Sequence, residues 1–255
     1  LYVHGAPPCG TATKARERAV PAALRRRGAP QPKPLRSSEF PLGFPDLRGV
    51  DLDKVTSANA IYLQMARFLR ECHGAGVMFS LENPRGSYMW QIAEMIALVA
   101  LPGVKFVNFQ HCMHGGKRDK WSAWLTNVAA LDALTATCDG SHTHEPWGAY
   151  QAADSSWKFY SALEAEYPKL LCDRVAAIVV AEALKRGIVM VRPAVKVDVS
   201  EAVQAAAAHL RAAAGKQPRG KKYPEVVPEF SSVSKVTFDA TWATLFQQKQ
   251  RLDAT

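Results

Sequence analysis

Three short stretches of this chain bring together residue types from which a covalent reaction can be built. They are "PPC" at 7–9, "ENP" at 82–84 and "GGKRDKWSAWLTN" at 115–127. The first offers a thiol, Cys9, behind two prolines that fix the backbone. The second offers a carboxylate, Glu82. The third offers cations, Arg118 first and Lys120 second. A thiol is only a few per cent ionised at neutral pH, and nearby cations favour the thiolate. A thiol, a carboxylate and a guanidinium in one crevice suit attack by sulfur on an electron-poor heterocycle. The carboxyl group would hold the ring's nitrogen edge, and a pyrimidine attacked at carbon 6 becomes nucleophilic at carbon 5.

A crevice of that kind needs elements that end together. "LYVH" reads as a short strand running into the Pro-rich turn, and "VMFSL" as a buried strand with "ENPRGS" as its exit loop. "VKFVNFQ" reads as a third strand with "HCMHGGKRDK" after it. Helical spacing of apolar residues over 56–72 and the run "YMWQIAEMIALVA" supply helices between them. Residues 156–186 read as a further helical stretch broken near Pro168. Strand, helix, strand, helix, strand predicts an α/β fold with a mostly parallel sheet, whose carboxyl edge is the usual ligand side. Each residue also has a plainer role open to it: a buried thiol for Cys9, a helix cap for Glu82, a surface cation for Arg118.

The order of the three motifs resembles DNA cytosine-5 methyltransferases, and among them the compact, divergent kind of phages and mobile elements. The resemblance covers residues 1 to about 187. It implies a partial Rossmann-like methyltransferase fold with S-adenosylmethionine as cofactor. It implies Cys9 as nucleophile, Glu82 and Asn83 on the cytosine edge, and Arg118, or else Lys120, assisting the activated base. Pro8, Pro84, Ser122 and Asn127 are expected to line the substrate site. "EAEYPKLLCDRVAAIVVAEAL" resembles a degenerate form of the family's last motif. The chain departs from the family pattern at Gly10, where a Gln is usual, and at Pro84, where a Val is usual. The glycine-rich motif that cradles the cofactor is not found. The chain opens on Leu inside an expected strand, so a piece of a longer polyprotein is expected, its cofactor half lying upstream.

The totals bear on partners. The 255 residues carry a net charge of +9, with 48% hydrophobic and 22% charged residues. That surplus favours a polyanion, so DNA is the expected partner, with RNA left open. From Lys14 to Arg36 there are eight basic residues against one acid; this reads as a long mobile loop whose Arg25, Arg26 and Arg27 would grip phosphates. Five cysteines without a C-x-x-C pair argue against a disulfide framework and for a reducing, intracellular compartment, the nucleus in a eukaryote. No apolar run reaches the ~18 residues of a membrane span. Oligomeric state is not legible.

A second cluster, Cys112, His114, Cys138, His142 and His144, offers ligands for a tetrahedral zinc ion through Cys112, Cys138, His142 and His144, although the spacing fits no standard finger. Residues 1–190 form the expected methyltransferase-like domain. An Ala-rich helix and basic linker follow at 191–222, and at 223–255 a helical or irregular tail or the start of a following segment. The other function class open to this chain is a catalytically inactive nucleic-acid-binding module of a mobile-element polyprotein.

Overall fold

The computed structural model describes residues 1–187. The Ala-rich helix, the basic linker and the tail expected beyond them lie outside the described residues.

Four strands form the central sheet in the order β1-β2-β4-β3: β1 (Tyr2–Gly5), β2 (Met78–Pro84), β3 (Lys105–Gln110) and β4 (Trp121–Thr126). β1 pairs in parallel with β2, from Tyr2 opposite Met78 to Gly5 opposite Leu81. β4 is antiparallel to both β2 and β3, so β1, β2 and β3 point one way and β4 is wedged in reversed. The sheet is therefore mixed, where a mostly parallel one is expected from sequence. The difference is "WSAWLT", which reads as part of a loop because four charged residues, Lys117–Lys120, stand directly before it. In the sheet its residues alternate between faces, as any strand must.

Each face of the sheet has its own core. On one face Phe79, Leu81 and Leu125 pack with Tyr62, Ala66 and Leu69 of helix α2 (Gly49–Gly74) and Met95 and Leu98 of α3 (Ala93–Val99). α1 is the single turn Ala22–Arg26. Val55, Ala58, Tyr62, Ala66, Leu69 and Cys72 recur every three or four residues, which is what buries one stripe of α2. The helix starts seven residues before the apolar pattern does, because its first turns face outward. Gly76, at φ +69°, then turns the chain into β2, a left-handed conformation that suits glycine. On the other face Met78, Val107, Phe109 and Trp124 pack with Leu171 and Ala183 of α4 (Lys169–Lys185). Pro168 stands at the N-cap of α4, where a missing N–H costs nothing. Upstream of it, the expected helix is instead strand β6 (Trp157–Phe159), paired with β5 (Ala149–Gln151), followed by a 3-10 segment over Tyr160–Ala165.

The basic segment is packed on the body, not a free loop. Val20 and Ala29 are buried with Ala149, against Leu24, Trp157 and Phe159. Arg36 is 1% exposed. Its guanidinium donates to the carbonyls of Pro41 (2.6 Å) and Val55 (3.4 Å), to Asn59 Oδ1 (2.6 Å) and to Thr11 Oγ1 (3.0 Å). Both Nη groups are paired in this way, as a buried Arg requires, and only Nε is left without a partner.

Candidate functional site

The turn after β1 is held from three sides. Pro7 and Pro8 have no N–H, so only their carbonyls remain to anchor them. Asn83 Nδ2 donates to Pro7 O at 3.1 Å, and Tyr62 OH donates to Pro8 O at 2.5 Å. The Cys9 carbonyl accepts the N–H groups of Ala12 and Thr13, both at 2.9 Å. Cys9 is thus presented half-buried between exposed Pro8 and exposed Gly10. The charges that act on it are Glu82 and Lys120. Burial, then Glu82, push the thiol pKa up, and Lys120 pulls it down less strongly. Arg25, Arg26 and Arg27, expected to grip phosphates, are not among the charges that act on the thiol. Those arginines are exposed on and after α1, Arg27 lying over the Trp157 ring at 5.9 Å.

β2 runs through Pro84, so Glu82 and Asn83 lie within the strand and not in an exit loop. Alternation sends them to opposite faces. Asn83 goes to the α2 side, fully buried, and ties the Cys9 turn to the sheet. Glu82 goes to the α4 side and becomes the end-point of a directed hydrogen-bond network. Ser122 Oγ donates to Glu82 Oε1 at 2.7 Å. His111 Nε2 lies 2.9 Å from that same Ser122 Oγ. Since the serine proton goes to the carboxylate, the imidazole must be the donor, which fixes the Nε2–H tautomer. Lys120 Nζ lies 3.5 Å from Glu82 Oε1. Burial first, and then the charge of Glu82, push the Tyr167 phenol pKa far up.

A chain of hydrogen bonds runs behind Tyr167. Its hydroxyl lies 3.0 Å from His4 Nε2; His4 Nδ1 lies 2.7 Å from Ser80 Oγ; Ser80 bonds the Tyr2 hydroxyl. Tyr167, His4, Ser80 and Tyr2 thus form one hydrogen-bonded chain on the α4 side of the sheet, and burial holds both imidazoles, His4 and His111, toward the neutral form. It lowers the His4 pKa to about 4, and with Lys120 and His114 it lowers that of His111 to about 3. Tyr2, His4, Ser80, Glu82, Ser122 and Trp124 all project from one face of the sheet, and the His4 ring lies 4.5 Å from that of Trp124.

The other expected site residues go elsewhere. Arg118 is 2% exposed and saturated: Nη2 meets Glu145 at 2.7 Å, Nη1 meets Glu164 at 2.8 Å, and Nε donates to Pro146 O at 3.1 Å. It also stacks over Tyr160 at 4.8 Å. Lys120, the second choice from sequence, is the cation that faces Glu82. Asn127 is a correction. Its side chain bonds Phe79 N and Val77 O, at the start of β2, whereas Cys9 lies beyond the end of β1. Pro84 caps β2, its carbonyl accepting from Ser87 N and Trp90 Nε1. Sequence reasoning missed His4, His111 and Tyr167. Two signals were available, since His4 and His111 each fall at the exit of an expected strand.

The Cys/His cluster assembles. Nε2 of His142 and of His144 lie 3.8 Å and 3.5 Å from Cys138 Sγ, and 3.1 Å from each other. Cys112 joins them, the four ligand atoms all lying within 4.8 Å of one another. Burial and the neighbouring Cys138 raise the Cys112 thiol pKa to about 11. This cluster can hold a metal ion. His114 takes no part, since its Nε2 bonds Leu134 O and its Nδ1 accepts from Arg174.

Two open hollows mark the surface, and neither is lined by Cys9 or Glu82. One is bounded by Ala15, Arg16, Pro30, Pro32 and Phe159, and the other includes Arg85, Trp90, Phe106 and Trp121. Among the described residues no helix is long and apolar enough to cross a membrane. Comparison of the chain with models of protein families, with curated proteins and with solved structures finds no match.

Proposed function

We propose that this chain is a cytosine-5 methyltransferase-like domain that adds the Cys9 sulfur to carbon 6 of a cytosine flipped out of DNA. The observation that carries the reading is that Cys9, just after β1, and Glu82, near the end of its parallel neighbour β2, share the cation Lys120, which stands just before antiparallel β4. A sheet with one reversed strand beside two that run together is compatible with the second half of a methyltransferase sheet.

The resting thiol shapes the mechanism. Burial and Glu82 keep Cys9 protonated, so sulfur must lose its proton as it attacks. Glu82 accepts that proton and delivers it to the ring nitrogen next to the amino group. The sulfur–carbon 6 bond forms, the carbon 5–carbon 6 double bond opens, and its electrons move toward the protonated ring edge. Glu82 ends as it began. Lys120 and Ser122 hold the carboxylate in place, and His111 in turn orients Ser122. Carbon 5 of the adduct is nucleophilic and takes a proton from solvent. Loss of the original proton from carbon 5, expulsion of sulfur from carbon 6 and return of the ring-nitrogen proton through Glu82 to the sulfur then give back cytosine and the thiol. S-adenosylmethionine would supply a methyl group to the same carbon. None of the described strands ends in the glycine-rich turn that cradles this cofactor, so no residue here is assigned to it and no step runs through it.

The test therefore needs no cofactor. DNA carrying tritium at cytosine carbon 5 is incubated with the chain, and release of tritium to water is followed. Wild type should exchange, Cys9→Ser should not, and Glu82→Gln should be slowed by about 10² or more, the scale of a positioned proton-transfer group. Wild type that binds the DNA without exchange would overturn the reading in favour of a non-catalytic nucleic-acid-binding module.

A further inference from the structure

We propose that Cys112, Cys138, His142 and His144 close a structural Zn²⁺ site that ties the 138–146 strap to the exit of β3. The inference is independent of the chemistry at Cys9. It rests on how these side chains converge. In a tetrahedral site with Zn–S of about 2.3 Å and Zn–N of about 2.05 Å, the ligand atoms stand about 3.8 Å (S to S), 3.55 Å (S to N) and 3.3 Å (N to N) apart. Cys138 and the two imidazoles already stand 3.5, 3.8 and 3.1 Å apart. The Cys112 sulfur is within 4.8 Å of all three ligand atoms, so each of these distances exceeds its tetrahedral value by about 1.2 Å at most. Both histidines turn the same nitrogen toward one sulfur, as two ligands of one ion would.

The surrounding backbone is already shaped for this. Gln110 Oε1 accepts the Cys138 N–H at 2.7 Å, which pins Cys138 beside the end of β3, two residues before Cys112. Gly140, at φ +74°, reverses the chain, and its N–H points at Cys138 Sγ at 3.4 Å. A backbone donor on the sulfur stabilises a metal thiolate as a neighbour of the site. Four protein ligands leave no corner for water or substrate, so the ion holds structure and does no chemistry.

Its place in the fold says what it holds. Beyond His144, Glu145 N donates to Lys117 O at 2.9 Å, and the Glu145 carboxylate pairs with Lys117 and Arg118. Arg118 stands two residues before Lys120, whose carbonyl accepts His111 N and whose ammonium faces Glu82. The ion thus fastens the strap that Arg118 grips, and with it the segment that brings Lys120 to Glu82.

The purified chain, prepared under reducing conditions with Zn²⁺ supplied and then dialysed, should retain about one Zn²⁺ by elemental analysis. Replacing it with Co²⁺ should give the intense visible bands of a tetrahedral centre and a thiolate-to-metal transition in the near ultraviolet. Cys138→Ser should lose both. The pair His142→Ala and His144→Ala removes only exposed side chains, so it should lose the metal while far-ultraviolet dichroism is kept. Chelation should speed amide exchange in 117–120 and 138–146 and leave β1 and β2 unchanged. Wild type that takes up no ion, a double-histidine variant that keeps a tetrahedral cobalt spectrum, or thiol titration finding Cys112 and Cys138 joined as a disulfide would each overturn the proposal. Unchanged exchange in both segments on metal loss would overturn the tether.

Discussion

Arg118 and Lys120 stand two residues apart and should fail in different ways. Arg118→Met removes a cation that is 2% exposed, from between Glu164, whose side chain is 10% exposed, and Glu145, whose side chain is 44% exposed. Breaking a buried pair by deleting one partner costs about 3–5 kcal/mol, because the other charge is left uncompensated. The half-exposed Glu145 adds little, in the ~0–1 kcal/mol range of surface pairs. Methionine recovers part of the stacking on Tyr160, so a loss of about 3–4 kcal/mol is expected. At ~2–4 °C per kcal/mol for a domain of this size, the melting temperature should fall by roughly 10 °C. Tritium release from carbon 5, measured well below the transition, should stay near wild type per folded molecule. Lys120→Met should also lower the transition, because it leaves Glu82, whose side chain is 8% exposed, without its cation, but it should in addition slow exchange per folded molecule by about 10² or more. The measurements are a thermal melt by near-ultraviolet dichroism and the exchange assay at one low temperature. An Arg118→Met protein that melts like wild type yet no longer exchanges would refute the reasoning and return the reacting cation to Arg118.

Three further outcomes follow from the same geometry. The His4 and His111 pKa values are depressed to about 4 and about 3 from 6.5, so the unfolded chain binds more protons than the native one between those values and 6.5. Stability is therefore full above about pH 6.5 and is lost as pH falls toward 4 and then 3. Denaturant melts across that window should show the slope, and His111→Gln should flatten its lower part. At Gly116 a Cβ would lie 2.8 Å from the backbone and side chain of His111, so Gly116→Ala should cost about 1–3 kcal/mol by calorimetry and slow exchange through displaced His111. Changing Arg25, Arg26 and Arg27 to Ala should flatten the salt slope of DNA binding by about two to three, at ~0.9 per phosphate contact. An unchanged slope would leave those exposed arginines merely solvated.

The parts of the fold legible in sequence were those written in local patterns. β1, β2 and β3 and the spacing of α2 could be read from runs of apolar residues, and the thiol and carboxylate from their place near strand ends. β4 could not, because "WSAWLT" carries tryptophans and small residues on both faces and follows four charges. That one reversed strand decides much of the site. It supplies Ser122 to Glu82 and turns Arg118 away from it. The split between Glu82 and Asn83 was also hidden, since it depends on whether β2 ends at Leu81 or runs on to Pro84. His4, His111 and Tyr167 are 107 and 56 residues apart in sequence, and only pairing and the docking of α4 bring them to one carboxylate. The basic segment looked mobile because its composition is polar, yet Arg36 finds four acceptors and Val20 a small apolar pocket. Neither is visible without tertiary contacts.

The protonated thiol is the feature that most constrains what this site can do. A cysteine meant to react as a resting thiolate is usually set among cations or at a helix N-terminus. Here the strongest influences on Cys9 after burial oppose one another, and the carboxylate wins. Addition to carbon 6 of cytosine needs a proton at the ring nitrogen at the moment the sulfur loses one. A thiol beside a carboxylate meets both needs with one proton, whereas a preformed thiolate would leave the ring edge to find its proton elsewhere. That argument has a consequence in the variant that removes the charge. Glu82→Gln leaves Lys120 unopposed beside Cys9, so the thiolate should become more populated and alkylation by iodoacetamide at neutral pH faster than in wild type. Tritium exchange should fall in the same protein, because the amide cannot pass the proton on. Reactivity toward a simple electrophile and reactivity toward cytosine should therefore move in opposite directions. If both fall together in Glu82→Gln, the carboxylate is only holding the fold around Cys9. If both rise, it is only suppressing the thiolate. In either case the proton transfer assigned to Glu82 is refuted.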